Sequence, residues 1–265
     1  MNNLSISNIA WIKEYDNEIC QFISDSGFTG LEIAPTRIIP ENPYENLELA
    51  KKTSEEIKNK YNLTICSMQS ILFGKTESLF GSDEEKQRLT DYTKKAIDFA
   101  NAINCKNLVF GSPKNRIIKN NEQYPLAIKF FKELGDYAFQ KNTVLSIEAN
   151  PQIYGTNFIN TTEQAFQLVK DVNSKGFMTN LDFGTIIENN EDISFVIDNI
   201  NLIHHIHISE PNLVLIKKRK LHQEFADKLK KTLYNGYISI EMKNTNNIKD
   251  VKSTIKYIKG VFNDN

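Results

Sequence analysis

The chain has 265 residues, 40% of them apolar and 10% aromatic, and its 32 Lys and Arg against 33 Asp and Glu leave a net charge of -1. That length suits one barrel of roughly 250 residues, and the balanced charge argues against a protein built to bind duplex nucleic acid. The three cysteines Cys20, Cys66 and Cys105 form no CxxC pair and no basic leader or long apolar run occurs, so disulfide scaffolds, zinc knuckles and membrane spans are not indicated. The expectation is a cytoplasmic protein with reduced thiols and no membrane or nucleic-acid partner, while a homo-oligomer stays open.

Short runs rich in β-branched residues alternate along the chain with longer segments of helical apolar spacing. The strand candidates are Leu4–Ile9, Gly30–Ala34, Leu63–Met68, Asn107–Gly111, Thr143–Glu148, Phe177–Asp182, Leu202–Ile208 and Tyr237–Glu241. Amphipathic segments such as Glu84–Asn101, Gln123–Gln140, Thr161–Asn173, His222–Leu233 and Ile248–Val261 lie between them, several opened by Ser, Thr or Asp. Strict β-then-α order implies parallel strands with right-handed crossovers. Eight such units predict one α/β domain over residues 1–265, a (β/α)₈ TIM barrel, and no glycine-rich nucleotide fingerprint follows the first strand. The longest loops, Pro35–Pro43, Ile71–Gly81 and Gly111–Asn121, then fall on the catalytic face. The basic run Lys217-Lys218-Arg219-Lys220 reads as a solvated loop before a helix.

Side chains alternate along a strand, so every second residue faces the barrel axis. In the last four strands the apolar residues suit the helix side, which leaves Ser146 and Glu148, Asn180 and Asp182, His205 and His207, and Ser239 and Glu241 on the axis. The last of each pair lies at the C-terminal end, where barrel enzymes place catalytic groups. Glu148, Asp182, His207 and Glu241 are spaced 34, 25 and 34 residues apart, about one strand-helix unit each, so neighbouring strands supply neighbouring groups. Three crowded carboxylates need a cation. The expected cofactor is one divalent metal ion, with Mn²⁺, Mg²⁺ or Co²⁺ favoured by the oxygen-rich donor set and Zn²⁺ allowed.

The chain resembles the xylose isomerase-like barrels, which include sugar epimerases of the tagatose 3-epimerase type, hydroxypyruvate isomerase and inosose dehydratase. The resemblance is carried by Gly-Leu-Glu-Ile at 30–33, Leu-Val-Phe-Gly-Ser-Pro at 108–113, Ile-Glu-Ala-Asn-Pro at 147–151, Leu-Asp-Phe-Gly at 181–184, His-Ile-Ser-Glu at 207–210 and Ser-Ile-Glu-Met at 239–242. It implies a metal-dependent sugar or sugar-phosphate isomerase or epimerase acting on a small-molecule sugar. It makes Glu148, Asp182, His207 and Glu241 the metal ligands, with Glu148 and Glu241 also the acid-base pair. Two departures bear on specificity. Thr185 stands where such epimerases carry a His three residues after the Asp, and no Arg follows closely on Glu210.

The loops offer Glu32, Gln69, Lys114 and Arg116 as substrate contacts, Lys114 and Arg116 being suited to grip a phosphate or carboxylate. Glu210 belongs with them, and Tyr154, with Gly155 and Phe158, is a candidate pocket wall. His222 reads as a surface residue at a helix start, or alternatively as a substrate ligand on a mobile loop. His204 is expected to face the helices and His205 to pack deeper on the axis. Two other readings compete: an apurinic-site endonuclease-like hydrolase, disfavoured because all four histidines fall between 204 and 222, and a ligand-binding barrel without catalysis.

Overall fold

The computed structural model describes residues 2–264. Its strands are β1 Asn3–Ile6, β2 Gly30–Ile33, β3 Thr64–Met68, β4 Asn107–Phe110, β5 Val144–Glu148, β6 Phe177–Asp182, β7 Ile203–Ile208 and β8 Tyr237–Ile240. The helices are α1 Asp16–Asp25, α2 Pro35–Ile38, α3 Leu47–Tyr61, α4 Asp83–Ala102, α5 Tyr124–Gln140, α6 Thr162–Val172, α7 Phe183–Asn189, α8 Ile193–Asp198, α9 Lys220–Leu229 and α10 Ile248–Phe262. The eight strands form one parallel sheet in the order β1-β8-β7-β6-β5-β4-β3-β2. A bridge between Ser7 and Glu32, with Thr29 N donating to Leu4 O at 3.2 Å, brings β1 and β2 together and nearly closes the (β/α)₈ barrel.

Local chemistry starts and stops these elements. Ser82 and Glu85 form a reciprocal capping box on α4, and Thr161 and Gln164 do the same on α6. Asn62, Asn173 and Asn190 end α3, α6 and α7 in the left-handed conformation that asparagine tolerates. The helix read as His222–Leu233 starts earlier, at Lys220, and ends at Leu229. The first strand stops at Ile6 rather than Ile9.

The apolar core lies between the outer face of the sheet and the helices. Leu4, Ile6, Leu31, Ile33, Leu145, Ile147, Ile206 and Ile240 are buried there against residues such as Phe131, Phe166, Phe225 and Ile255. The axis is polar instead. Among the described residues no helix is long and apolar enough to cross a membrane.

Candidate active site

The β→α loops at the C-terminal ends of the strands enclose a cavity of about 510 Å³, with Glu148, Asp182 and Glu241 on its wall. Glu148 is the last residue of β5 and Asp182 the last of β6, while Glu241 directly follows β8, its N–H still donating to Ile208 O at 3.0 Å. His207 lies beneath them, fully buried. Strand register sets the ring: Asp182 pairs with His207, and Glu148 with Asn180.

His207 Nδ1 lies 3.1 Å from Glu241 Oε2 and 3.4 Å from Glu148 Oε2. Its Nε2 lies 2.8 Å from Glu32 Oε2. Glu32 can only accept a proton there, because burial opposes its charge but the His207 charge and the bonds to His205 and His207 hold its carboxyl well below the usual range. Asn180 Nδ2 donates to Glu148 Oε2 at 3.0 Å and sits 3.2 Å from His207 Nδ1. This pattern keeps a proton on Nε2 and leaves Nδ1, facing the two glutamates, to hold either a second proton or a cation. Three electron-rich atoms then face one another, and only a cation or a shared proton can sit between them.

The titration of the group follows from this crowding. Burial, joined by the charge of Glu148, raises Glu241 to about 7, against the pull of His207. Burial and the Glu148 charge raise Asp182 to about 6. Burial opposes charge on His207, yet Glu32 and Glu241 lift it well above its ordinary value. Ligand atoms of Glu148, His207 and Glu241 all fall within 4.8 Å of one another, a donor set of two carboxylates and one imidazole that fits a divalent ion. A carboxylate holding the far ring nitrogen of a ligating histidine is the usual outer support of such a site. Glu32, His205 and His207 also converge, but one carboxylate between two imidazoles already has its charge compensated.

Asp182 shares the cavity but stands outside that tightest group. Its Oδ2 accepts from Thr185 N at 2.8 Å and Thr185 Oγ1 at 3.0 Å, and Ser209 Oγ donates to Oδ1. It caps α7 through the Thr185 bond. Thr185 Oγ1 also lies 2.8 Å from Ala149 O, so the residue replacing the histidine of typical epimerases ties the first turn of α7 to the chain leaving β5.

Of the candidate substrate contacts, Gln69, Lys114 and Tyr154 line the cavity, Lys114 exposed at its rim. Tyr154 Oη accepts from Asn212 N at 2.7 Å. Four others do not. Arg116 grips no anion from the cavity. It is fully buried and donates to Phe158 O, Gly111 O, Glu148 O and Asn150 Oδ1, because a loop folded inward brings carbonyls that need a donor. Glu32 serves His207 from below and has no exposure. Glu210 is 1% exposed and is bound by Arg219, whose Nε donates to Oε1 at 2.7 Å while Nη2 donates to Oε2. An arginine nine residues downstream thus takes up this glutamate, and only the lysines of the basic run are fully solvated. His222 is neither on the surface nor a ligand. It packs on Phe183, pairs with Tyr257 Oη at 3.0 Å, and is lowered to about 4 by burial.

Phe158 also misses the cavity, packing instead edge-on against Phe80, and Gly155 serves a left-handed turn with open space at its Cα. His204 does not face the helices. It is an extra residue of β7 opposite β6, and the bulge turns Nδ1 to within 2.9 Å of Asn107 Oδ1. Sequence reasoning gave no role to Asn150, which lines the cavity and donates to Glu148 Oε1 at 3.0 Å. Its place two residues past Glu148, on the same side of the extended chain, was the available signal.

A nearly closed parallel barrel carrying acidic groups and a histidine at its C-terminal mouth defines the class: a TIM barrel with an enzyme-like site. The chain belongs to the xylose isomerase-like TIM barrel family, whose model matches residues 20–261. Solved structures of similar shape include the 3-keto-D-glucoside 4-epimerase of E. coli, with a TM-score of 0.78 and 16% identity over 98% of this chain and 99% of that one. D-Psicose 3-epimerase from Clostridium cellulolyticum H10, solved with D-tagatose, has a TM-score of 0.77 and 15% identity over 98% and 99%. A family 2 AP endonuclease from Brucella melitensis has a TM-score of 0.72 and 18% identity over 92% and 94%. At these identities the likeness concerns the fold. No curated protein matches the sequence.

Proposed function

We propose that the protein is a divalent-metal-dependent isomerase or epimerase of a sugar or sugar phosphate. The observation that carries this reading is the meeting of Glu148 Oε2 and Glu241 Oε2 at the Nδ1 of one histidine, on the wall of a cavity large enough for a sugar. Glu148, His207 and Glu241 would hold the ion, with Asp182 completing the set once its carboxylate turns from Thr185. Bound there, a divalent ion would acidify the C–H beside a substrate carbonyl. Glu148 and Glu241 then move the proton, one removing it and the other returning it. Return to the opposite face of the same carbon gives epimerisation, and return to the neighbouring carbon, with a hydroxyl proton passing between the two oxygens, gives isomerisation. Glu32 keeps His207 oriented, and Asn150 and Asn180 hold Glu148 by one oxygen each.

The similar structures named above include a 3-keto-D-glucoside 4-epimerase and a psicose epimerase with bound D-tagatose, which supports a sugar as substrate. The endonuclease reading is weaker. Of the four histidines, His204 is taken by Asn107 and His222 by Tyr257, and His205 lies against Glu32, so one is left to ligate at the mouth. Thr185 and the engagement of Arg219 by Glu210 separate the site from that of free ketohexose epimerases, and Lys114 at the rim favours an anionic substrate group. The test is metal analysis of the purified protein, then a screen of neutral, acidic and phosphorylated sugars for deuterium taken up from solvent. Metal-dependent uptake into one sugar class is expected. Uptake that survives complete metal removal, or none across the whole screen, overturns the reading.

A further inference from the structure

A barrel of this kind usually fills its axis with layers of Val, Ile and Leu. Here the inward residues are mostly small and polar. Ser239 pairs with His207 and Ser5 with Ser239, so both share the inward side of that histidine. Asn180, between Glu148 and His205, faces the axis too. On the opposite wall Asn107 Nδ2 donates to Ser67 Oγ at 3.0 Å, and Ser146 Oγ donates to Asn107 Oδ1 at 2.9 Å.

Three of these inward atoms, Glu32 Oε1, Asn180 Oδ1 and Ser239 Oγ, have no hydrogen-bond partner among the described residues, and Ser5 Oγ meets only the Cys66 thiol. Their residues are at most 1% exposed. His205 Nε2 lies 3.2 Å from Glu32 Oε2, an oxygen it shares with His207 Nε2. Buried polar groups are as a rule satisfied, and several left dry would cost a sizeable part of the net stability of a domain. A cavity of about 680 Å³ opens at the N-terminal ends of the strands, and His205 lines it beside Cys66, Asn107, His204 and Tyr237. Bulges bring two of these residues there, since Cys66 in β3 and His204 in β7 are both extra residues in their ladders.

We propose that the barrel axis binds a file of ordered water molecules running from this second cavity, past His205, Ser239 and Ser5, to Glu32 and the underside of His207. Water is the ligand class that fits. Glu32 Oε1 and Asn180 Oδ1 need donors, the serine hydroxyls take either role, and one water typically makes about three bonds to such groups. The file gives the base of the site contact with solvent that bypasses the mouth through which substrate enters. It is independent of which reaction the mouth carries out.

Water ¹⁷O relaxation dispersion on the full chain, with Mg²⁺ as the added ion so that no paramagnetic centre intrudes, counts long-lived internal waters. The wild type is expected to show them. Ser5→Val and Ser239→Val should each lower the dispersion amplitude and lower Tm, whereas His204→Trp, which narrows the N-terminal cavity, should lengthen the residence time. If the valine variants leave the amplitude unchanged and raise Tm, the axis is dry and the proposal is overturned. An unchanged residence time in His204→Trp overturns the link to the second cavity. Should a valine variant fail to fold, ordered solvent along the axis of a high-resolution wild-type crystal structure decides the matter, its absence being the overturning result.

Discussion

Glu148 and Glu241 sit where the loss of one negative charge changes chemistry more than shape. Glu→Gln keeps the volume and one oxygen donor but removes the base. In Glu148→Gln and Glu241→Gln, bound metal is expected to persist while turnover falls by about 10²- to 10⁴-fold, the usual worth of general acid-base help. Parallel metal analysis and turnover assays check this, and near-normal turnover in both Gln variants with metal bound would refute the two-glutamate mechanism. Arg116 makes the opposite kind of prediction. Its guanidinium satisfies carbonyls of Gly111, Glu148 and Phe158 inside the loop cluster. Arg116→Met should therefore cost on the order of 3 kcal/mol, roughly 5–10 °C in Tm, through buried acceptors left unpaired. It should not discriminate acidic from neutral substrates. Lys114→Ala, at the exposed rim, should instead raise KM for acidic sugars with Tm unchanged, and an equal rise for neutral sugars would remove Lys114 as an anion contact.

At the scale of elements, the eight strands were legible because each is a short β-branched run bounded by polar turns. Alternation puts Glu148, Asp182, His207 and Glu241 on the axis within their strands; in the structure Glu148 and Asp182 end β5 and β6, His207 lies in β7, and Glu241 directly follows β8. The rule fails where a strand carries an extra residue. His204 turns inward because β7 bulges there, and nothing in Ile-His-His-Ile-His announces a bulge. Arg116, Glu210 and His222 were misread for a related reason. Whether a polar residue meets solvent, substrate or a buried partner depends on chain segments distant in sequence, such as Tyr257 for His222. The abundance of asparagine, by contrast, acquires a structural meaning: among the described residues, eight of the eleven non-glycine positions with positive φ are Asn, many at helix ends and turns. Close contact between elements makes a further prediction. A Cβ at Gly176 would lie 2.1 Å from Gly135 O and 2.6 Å from Phe139 N, backbone atoms of α5 that cannot swing aside. Gly176→Ala should cost about 1–3 kcal/mol by forcing α5 from β6, whereas Gly260→Ala, with open space at its Cα, should not destabilise. Thermal melts of the two variants side by side check the contrast.

For the whole molecule, the cluster at the barrel mouth couples folding to pH and to metal. Folding raises Asp182 to about 6 and Glu241 to about 7, mainly through burial, and raises His207 through its carboxylate neighbours. A group whose pKa rises on folding binds its proton more tightly in the native state, so it contributes stability at low pH and loses it as pH climbs through the folded value. All three shifts have this sign. Asp182 and Glu241 therefore withdraw stability from metal-free protein between about pH 4.5 and pH 7 as they ionise, while His204 and His222, held neutral by burial with values lowered to about 4, add stability over the lower part of that range. Glu32 opposes the trend only on the acid side, where protonating its lowered carboxyl removes its bond to His207. A divalent ion replaces the shared proton and stabilises the ionised carboxylates, so it reverses the dependence, and its own binding strengthens as they deprotonate. The expected result is a gap between Tm in excess Mn²⁺ or Mg²⁺ and Tm in chelator that widens by on the order of 5 °C from pH 5 to pH 7.5, a difference in which the histidine contributions cancel. Glu241→Gln, which cannot ionise, should reduce that widening. If the metal and chelator curves run parallel, the buried carboxylates are not coupled as described.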